Sequence, residues 1–87
     1  MALPSQAECR QRVTTIVVER LHLPVSSPDA DLVATGVLDS LGLVELVAQL
    51  EGEFGTTIPF EEIEVDSFRS IDAVVTYLTE HLARQPG

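Results

Sequence analysis

The stretch from Leu41 to Phe54 constrains the fold more than any other part of the chain. Its apolar residues recur at intervals of three and four, which is the spacing of one face of an α-helix. Gly55 follows as the residue type that most often ends a helix in the left-handed conformation, and Pro59 bars a continuous helix beyond it. We therefore predict a helix over residues 41–54 with one face in a hydrophobic core. That face comprises Leu43, Leu46, Val47, Leu50 and Phe54.

Two further segments carry helical periodicity, one on each side of this helix. The first runs from Ser5 to about Leu21, with prolines at positions 4 and 24 as punctuation. The last begins near Ser70, a natural N-cap, and has His81 and Arg84 in its last turn, where the helix dipole favours positive charge. The residues expected to face the core are Cys9, Val13, Ile16, Val17 and Leu21 in the first helix, and Ile71, Val74, Val75, Leu78 and Leu82 in the last.

The connections between these helices differ in length. Residues 22–39 contain two prolines and a Ser-Ser-Pro-Asp run, so they form a long loop whose apolar residues pack across the core. A short helical turn is expected around Glu61 to Ile63. The predicted fold is all-α: a small four-helix bundle of three main helices and a short one, with a long loop between the first two. We expect residues 1–87 to form a single domain, with a core over about 5–83 and a frayed tail over 84–87.

The composition narrows the possible functions. The chain has 14 acidic residues against 5 Lys plus Arg, a formal net charge of −9, which repels phosphate backbones and favours partners with basic surfaces. Cys9 is the only cysteine, so there is no internal disulfide. No stretch has the length of a membrane span, because Glu45 and Glu51 interrupt the richest apolar segment. We expect a cytoplasmic monomer that binds no nucleic acid, inserts into no membrane and holds no metal.

Residues capable of catalysis are present but poorly arranged. His22 and His81 are far apart in sequence, and Ser40 has no nucleophile elbow around it. The Asp29-Ala30-Asp31 run imitates the start of a calcium loop but lacks the required glycine and the closing Glu. A hydrolase using Ser40 is therefore disfavoured, and an unactivated serine needs a base from another protein to react. We expect no enzymatic activity.

Ser40 lies where the second helix begins, and either Asp39 or Ser40 can be its N-cap. An anionic group attached to this serine would lie at a helix N-terminus, where backbone amides and the dipole favour negative charge. Apolar residues on the outward face that the core does not need indicate a partner site with an acidic fringe. This outward face holds Leu41, Glu45, Ala48, Gln49 and Gly52, with Val44 and Glu51 at its edge.

The tripeptide Asp39-Ser40-Leu41 at a helix start resembles the attachment motif of phosphopantetheine-dependent carrier proteins, which include acyl, peptidyl and D-alanyl carriers. The resemblance covers about residues 31–82 and rests on an ordered set of motifs rather than on one tripeptide. The matching segments are Gly36-Val37-Leu38, Leu43-Val44-Glu45-Leu46, Glu53-Phe54-Gly55, Ile58-Pro59 and Ser70-Ile71-Asp72-Ala73-Val74.

The resemblance implies a bundle like that of acyl carrier proteins and a role for each site residue. Ser40 would receive 4′-phosphopantetheine from coenzyme A through a phosphopantetheinyl transferase, with Asp39 and Leu41 as the flanking motif. The thiol of this arm would hold cargo as a thioester. The resemblance also implies a docking face for the transferase, an adenylating or acyl-loading enzyme, and downstream synthase or transferase enzymes. The docking residues predicted in this way are Leu41, Val44, Glu45, Ala48 and Glu51. A second motif, Asp66-Ser67-Phe68, is disfavoured as an attachment site, and Phe68 is expected in the core.

The cargo is less constrained. Gly42, Gln49 and Gly52 stand where fatty-acid carriers usually have acids, and the run over residues 31–40 looks closer to D-alanyl and free-standing peptidyl carriers. We favour an aminoacyl or acyl cargo in a pathway of nonribosomal-peptide or polyketide type. A D-alanyl carrier or a fatty-acid-type acyl carrier is the alternative. An acidic helical interaction module, unmodified and with Ser40 only as an N-cap, is the alternative of another class.

Overall fold

A computed structural model describes residues 4–84, and all the regular secondary structure in that range is helical. This confirms the predicted all-α bundle of three long helices and a short one. None of the helices in the described range is both long and apolar enough to cross a membrane. The elements are α1 (Gln6–Thr15) continued by a π-helical turn (Ile16–Arg20), α2 (Ser40–Phe54), a 3-10 turn (Phe60–Glu62), α3 (Val65–Phe68) and α4 (Ile71–Arg84).

The first helix changes its winding before it ends. Ser5 caps α1, since its side chain accepts a hydrogen bond from the Glu8 N–H at 3.1 Å. Six consecutive β-branched residues, 13–18, crowd the turns of an α-helix. The chain then widens into a π turn in which the Leu21 N–H donates to the Ile16 carbonyl at 2.9 Å. The sequence predicted a regular helix here, so this π turn is a correction. Its effect is to bury Ile16 and the adjacent Val17 together.

The π turn ends in a left-handed residue that is not glycine. His22 has φ 56°, and the following Leu23 N–H donates to the Val17 carbonyl at 3.0 Å. This bond joins residues six apart, one more than the corresponding bond of a Schellman motif, in keeping with the wider winding of the π turn, and it satisfies a carbonyl near the end of the helix. The chain thereby reverses direction and enters the long loop.

The core lies among α1, the π turn, α2 and α4, with α3 packed on α4. The predicted inward faces are confirmed, although Leu21, Leu43, Phe54 and Leu82 at their margins are only half-buried. An ion pair between Arg10 and Asp72 joins α1 to the first turn of α4 on the surface. The buried apolar residues are Cys9, Val13, Ile16, Val17, Leu32, Leu38, Leu46, Val47, Leu50, Ile58, Phe68, Ile71, Val74, Val75 and Leu78.

The long loop crosses the core, as predicted from its apolar residues. Leu32 and Leu38 are buried, and the Leu38 N–H donates to the Leu32 carbonyl at 2.8 Å. The Leu32 N–H donates in turn to the Arg69 carbonyl at 2.7 Å, at the end of α3. Because these backbone bonds join the loop to itself and to α3, residues 32–38 are an integral layer of the fold.

The connection after α2 is held by a buried histidine of α4. His81 is only 4% exposed, and its Nε2–H donates to the Thr57 carbonyl at 2.9 Å, with the Thr56 hydroxyl 3.2 Å away. Its ring stacks on Tyr77 at 5.4 Å, and the Tyr77 hydroxyl donates to Glu62 at 3.0 Å. Burial, followed by the hydrogen bond to Glu62, raises the pKa of Tyr77 to about 12. The helical periodicity placed His81 only near the helix end and did not predict its burial.

Only the first residue of the predicted C-terminal tail, Arg84, falls within the described residues. Arg84 is the last residue of α4 and is helical, so the helix extends one residue beyond the predicted core. The rest of the predicted frayed tail, residues 85–87, lies outside the described residues.

Candidate functional site

Ser40 is the first residue of α2, and Asp39 is its N-cap. The Asp39 carboxylate accepts a hydrogen bond from the Gly42 N–H at 2.8 Å, while its backbone is extended with φ −102° and ψ −174°. Sequence analysis left the cap open between these two residues, and the structure assigns it to Asp39. Within residues 4–84 the Ser40 hydroxyl has no hydrogen-bond partner, and the residue is exposed. The hydroxyl is therefore accessible and not needed by the helix.

The missing side chain at Gly42 leaves room for the Asp39 carboxylate and the Leu38 side chain to lie close to the helix backbone. A Cβ on Gly42 would lie 3.3 Å from the capping Asp39 oxygen and 3.1 Å from a methyl group of Leu38. Both distances are tighter than ordinary packing, so the absence of a side chain at position 42 matters for the geometry of this helix start. The first turn of α2 also contains no acidic residue. Apart from the Asp39 carboxylate, the amides of the first turn therefore face no fixed negative charge from the helix itself.

Neither histidine forms a hydrogen bond with this hydroxyl within residues 4–84. His81 contacts Thr56 and Thr57, which follow the far end of α2. The helix has 15 residues and is therefore about 22 Å long, so its two ends are well separated. His22 is exposed at the end of the π turn. The His81 imidazole is thus held at the opposite end of α2 from Ser40, and within residues 4–84 no hydrogen bond joins His22 to the Ser40 hydroxyl.

The loop acids that imitated a calcium motif have other partners. Asp29 accepts a hydrogen bond from the Ser27 hydroxyl at 2.6 Å, and Asp31 pairs with Arg69 at 3.1 Å. Across the described residues no group of three or more His, Cys, Asp or Glu side chains is arranged to hold a metal ion. Cys9 is fully buried, and burial raises the pKa of its thiol, which disfavours the reactive thiolate.

Asp31 organises the loop that leads to Ser40. Its Oδ1 accepts the Ala34 N–H at 2.9 Å and the Val33 N–H at 3.1 Å, while its Oδ2 lies 3.1 Å from Arg69 Nε. The hydrogen bond from the Ala34 amide, helped by the Arg69 guanidinium and the Val33 amide, holds the pKa of this carboxyl below its ordinary value. The turn ends at Gly36, whose φ of 77° suits a residue without a side chain. One carboxylate thus shapes the loop and joins it to the end of α3.

An apolar groove of about 360 Å³ opens beside Ser40. Its lining comes from the long loop, the start of α2 and α3, and sequence analysis did not predict α3 as a helix. Phe68 is fully buried, as predicted, but it also reaches the groove. The lining is mainly apolar and comprises Val33, Gly36, Leu38, Asp39, Ser40, Leu43, Val65 and Phe68.

The predicted docking residues fall into two groups in the structure. Leu41 and Val44 are 73% and 61% exposed, and Glu45 and Ala48 are exposed beside them. Glu51 is half-buried, and its carboxylate accepts the Ile58 N–H at 2.8 Å, so it already serves the loop after α2. The apolar patch is therefore present, with Glu45 as its acidic neighbour on α2, whereas Glu51 has a structural partner.

Comparison with known proteins gives the family. Residues 11–78 match the family described as "Phosphopantetheine attachment site". This chain belongs to that family. The match covers α2, the groove and most of α4, so it includes every residue of the candidate site.

Two relatives align with most of this chain and with nearly all of their own length. The chain is similar to a D-alanyl carrier protein of Bacillus velezensis, with 39% identity over 75 residues, 84% of this chain and 96% of the relative. It is also similar to a D-alanyl carrier protein of Streptococcus mutans, with 40% identity over 74 residues, 84% of this chain and 94% of the relative. The cofactor of the family is phosphopantetheine, and its members act as carriers.

The helix start around Ser40 fits such a group chemically. A phosphopantetheine is held through a phosphodiester, which needs an accessible hydroxyl and tolerates the amides of a helix N-terminus. Ser40 has the hydroxyl free, its helix has no acid in the first turn, and the groove beside it is large enough for part of an organic arm. The residues present therefore accommodate the cofactor of the family.

Proposed function

We propose that Ser40 carries the 4′-phosphopantetheine arm and that the arm holds a small aminoacyl group, with D-alanine as the first candidate. The observation that carries this proposal is the exposed, unpartnered Ser40 hydroxyl at the start of α2, in a chain whose family attaches phosphopantetheine. In the attachment step the Ser40 oxygen bonds to the phosphorus of the pantetheine phosphate in coenzyme A. Adenosine 3′,5′-bisphosphate leaves, and the hydroxyl proton goes to a base of a Mg-dependent transferase.

The cargo is assigned from the relatives and from the surface. The relatives above are named D-alanyl carrier proteins, and they match over nearly their whole length. An aminoacyl thioester carries an ammonium group, which suits a protein of formal net charge −9. The pathway of nonribosomal-peptide or polyketide type that the sequence favoured has no support from these names, so the D-alanyl alternative is the better one to test.

The partners of the carrier are proposed to dock on the exposed part of α2. Leu41 and Val44 form an apolar patch at the Ser40 end, with Ala48 and the acidic Glu45 beside them. A partner with an apolar contact bordered by Lys or Arg complements this surface. The proposed partners are the transferase, an adenylating enzyme that loads the amino acid, and an enzyme that takes it onward.

The attachment is tested by intact mass spectrometry of the purified chain after incubation with coenzyme A and a promiscuous phosphopantetheinyl transferase. One phosphopantetheine adduct is expected on the native chain and on Ser67→Ala, and none on Ser40→Ala. Ser67→Ala is the matched control, because Ser67 lies in the second Asp-Ser-apolar sequence. If the native chain acquires no adduct, the carrier proposal fails and the unmodified interaction module becomes the better interpretation. If Ser40→Ala still acquires an adduct, the attachment site is a residue other than Ser40.

The cargo is tested on the loaded chain with adenylating enzymes of known specificity. A D-alanine-activating enzyme is expected to add one D-alanyl group as a thioester that hydroxylamine releases. The controls are L-alanine and an acyl donor of fatty-acid type with its own loading enzyme. Faster loading of the acyl group than of D-alanine would contradict the aminoacyl assignment and leave the attachment intact.

The docking face is tested by comparing two valine substitutions. Val44→Ser is expected to raise the KM of the transferase for the chain about fivefold, corresponding to about 1 kcal/mol of binding. Val18→Ser is the matched control, because Val18 is also an exposed valine but lies on the π turn. An equal effect of both substitutions would remove α2 as the docking element.

A further inference from the structure

Arg69 ties the long loop that leads into Ser40 to the end of α3. Its Nε lies 3.1 Å from the Asp31 carboxylate, and its backbone carbonyl accepts the Leu32 N–H at 2.7 Å. We propose that Arg69 is a positioning residue for the attachment step, because it holds through Asp31 the loop that places the Ser40 hydroxyl. This inference rests on the proposed attachment at Ser40.

The contact between Arg69 and Asp31 is more constrained than an ordinary surface ion pair. Both side chains are half-buried, and Arg69 Nε itself is inaccessible to solvent. The Asp31 Oδ1 accepts the Val33 and Ala34 amides at 3.1 Å and 2.9 Å, so the carboxylate cannot turn away without giving up both hydrogen bonds. An exposed pair of flexible side chains contributes little to structure. Here the guanidinium restrains a carboxylate that already shapes a turn.

A continuous series of contacts runs from this ion pair to the start of α2. The Asp31 carboxylate forms the turn, and the Leu38 N–H closes the loop by donating to the Leu32 carbonyl at 2.8 Å. Leu38 is buried, and one of its methyl groups lies 3.1 Å from where a Cβ on Gly42 would be. The next residue along the chain is Asp39, the cap of α2. A displaced loop therefore shifts Leu38 and Asp39 together.

The first turn of α2 depends on this cap, whereas the apolar patch does not. The Gly42 N–H donates to the Asp39 carboxylate, and the Leu43 N–H donates to the Asp39 carbonyl, both at 2.8 Å. If Asp39 moves, these two bonds weaken and the Ser40 side chain loses its fixed direction. Val44 lies one turn further on, where the helix supplies its own hydrogen bonds. A displaced loop therefore slows the use of the hydroxyl by a bound transferase and leaves docking largely unchanged.

The proposal is tested by steady-state kinetics of phosphopantetheine transfer from coenzyme A, on a native chain first shown by intact mass to accept one adduct. Arg69→Ala and Asp31→Asn are each expected to lower the kcat of the transferase about tenfold and to change its KM for the chain by less than about twofold, because a small misplacement of a reacting atom costs this much. Asp31→Asn keeps an oxygen for the Val33 and Ala34 amides and removes only the charge that faces Arg69, so it serves if Arg69→Ala does not fold. The double variant should be no slower than the slower single variant, because both residues act through one contact.

Two matched controls separate this contact from the loss of an ion pair in general. Asp66→Asn removes the other ion pair of Arg69, at 2.8 Å, and leaves the contact with Asp31 in place. Arg20→Ala removes an arginine of similar exposure that bridges the π turn and Glu53 near the far end of α2. Both should keep the native kcat. The proposal is overturned if either control lowers kcat as much as Arg69→Ala, or if Arg69→Ala and Asp31→Asn both keep the native kcat.

Amide hydrogen exchange gives a readout that needs no transferase, so it distinguishes a failure of this inference from a failure of the proposed function. Exchange at the Gly42 amide is expected to be about tenfold faster in Arg69→Ala and in Asp31→Asn than in the native chain, because the first turn opens locally, and unchanged in Asp66→Asn. Native exchange at Gly42 in both variants would overturn the positioning role. Faster exchange in a native chain background that accepts no adduct would instead overturn the attachment, while the link between Arg69 and the start of α2 would stand.

Discussion

The carboxylate of Glu51 accepts the backbone N–H of Ile58 at 2.8 Å. A side chain of α2 thereby holds the start of the segment that leads to α3, and Ile58 is buried next to it. The Thr56 N–H donates to the Glu51 carbonyl at 3.2 Å, so the same residue holds the chain through both its backbone and its side chain. Glu51 therefore links the end of α2 to the loop that follows.

Glu51→Ala is expected to lower the free energy of unfolding by about 1–3 kcal/mol, because it leaves the Ile58 N–H without its acceptor. Glu51→Gln keeps an oxygen acceptor and should cost less. Urea denaturation measures both. Glu45→Ala is the control: Glu45 is exposed on the same helix, and its loss should change stability by about 0.5 kcal/mol or less. If Glu45→Ala destabilised the chain as much as Glu51→Ala, the structural role of Glu51 would be unsupported.

The capping assignment separates two neighbouring residues. Asp39→Ala is expected to cost about 1 kcal/mol of stability, because it removes the acceptor of the Gly42 N–H. Ser40→Ala should change stability by no more than about 0.5 kcal/mol, since its hydroxyl has no partner within residues 4–84. Thermal unfolding followed by circular dichroism compares the two. The reverse order would make Ser40 the cap.

The Asp31 carboxyl predicts a dependence of stability on pH. Its pKa is lowered from 3.8 in the folded chain, chiefly by the hydrogen bond from the Ala34 amide. Stability from this group is therefore fully present above its unfolded pKa and is lost as the pH falls through the lower, folded pKa. Asp31→Asn should be less stable than the native chain at pH 7, with a difference that shrinks on acidification below pH 3.8. Urea midpoints at a series of pH values give this difference, and one that stayed constant with pH would assign the effect to packing.

Substitutions of His22 test whether the residue after the π turn has a left-handed backbone conformation. A left-handed conformation costs an ordinary L-residue about 1–2 kcal/mol, and glycine removes this cost at some expense in unfolded-state entropy. His22→Gly is therefore expected to raise the free energy of unfolding by up to about 1 kcal/mol, and His22→Val to lower it, because β-branched residues tolerate this conformation least. Chemical denaturation of the two variants decides the point. Equal stability of the Gly and Val variants would contradict the left-handed assignment.

The parts of the structure that could be predicted from sequence are those set by local periodicity. The stripe of α2 and its stop at Gly55 follow from residue spacing and from one residue type, and both are confirmed, with Gly55 at φ 60°. The motif around Ser40 is likewise local. The family match supports the cofactor, whereas the attachment to Ser40 itself stays a proposal.

What sequence did not reveal depends on contacts between distant segments. Val33 and Val65 both line the groove although they are 32 residues apart, and the hydrogen bond from the Leu32 N–H to the Arg69 carbonyl joins the loop to the end of α3. The role of Glu51 depends on a loop amide seven residues away, and an acid on a helical wheel looks the same whether it faces a partner or a backbone N–H. The π turn was missed because the apolar spacing of Ile16 and Val17 also fits a regular α-helix.

Asp39 caps α2 whereas the Ser40 hydroxyl has no partner within residues 4–84, and this difference bears on the order of folding and modification. The helix starts without help from the serine, so the chain does not need a modified Ser40 in order to fold. Under the proposed attachment, the arm would then be added to a bundle that is already formed. An unfolded chain has neither the helix start nor the apolar patch, so a transferase that recognised both would modify folded copies only.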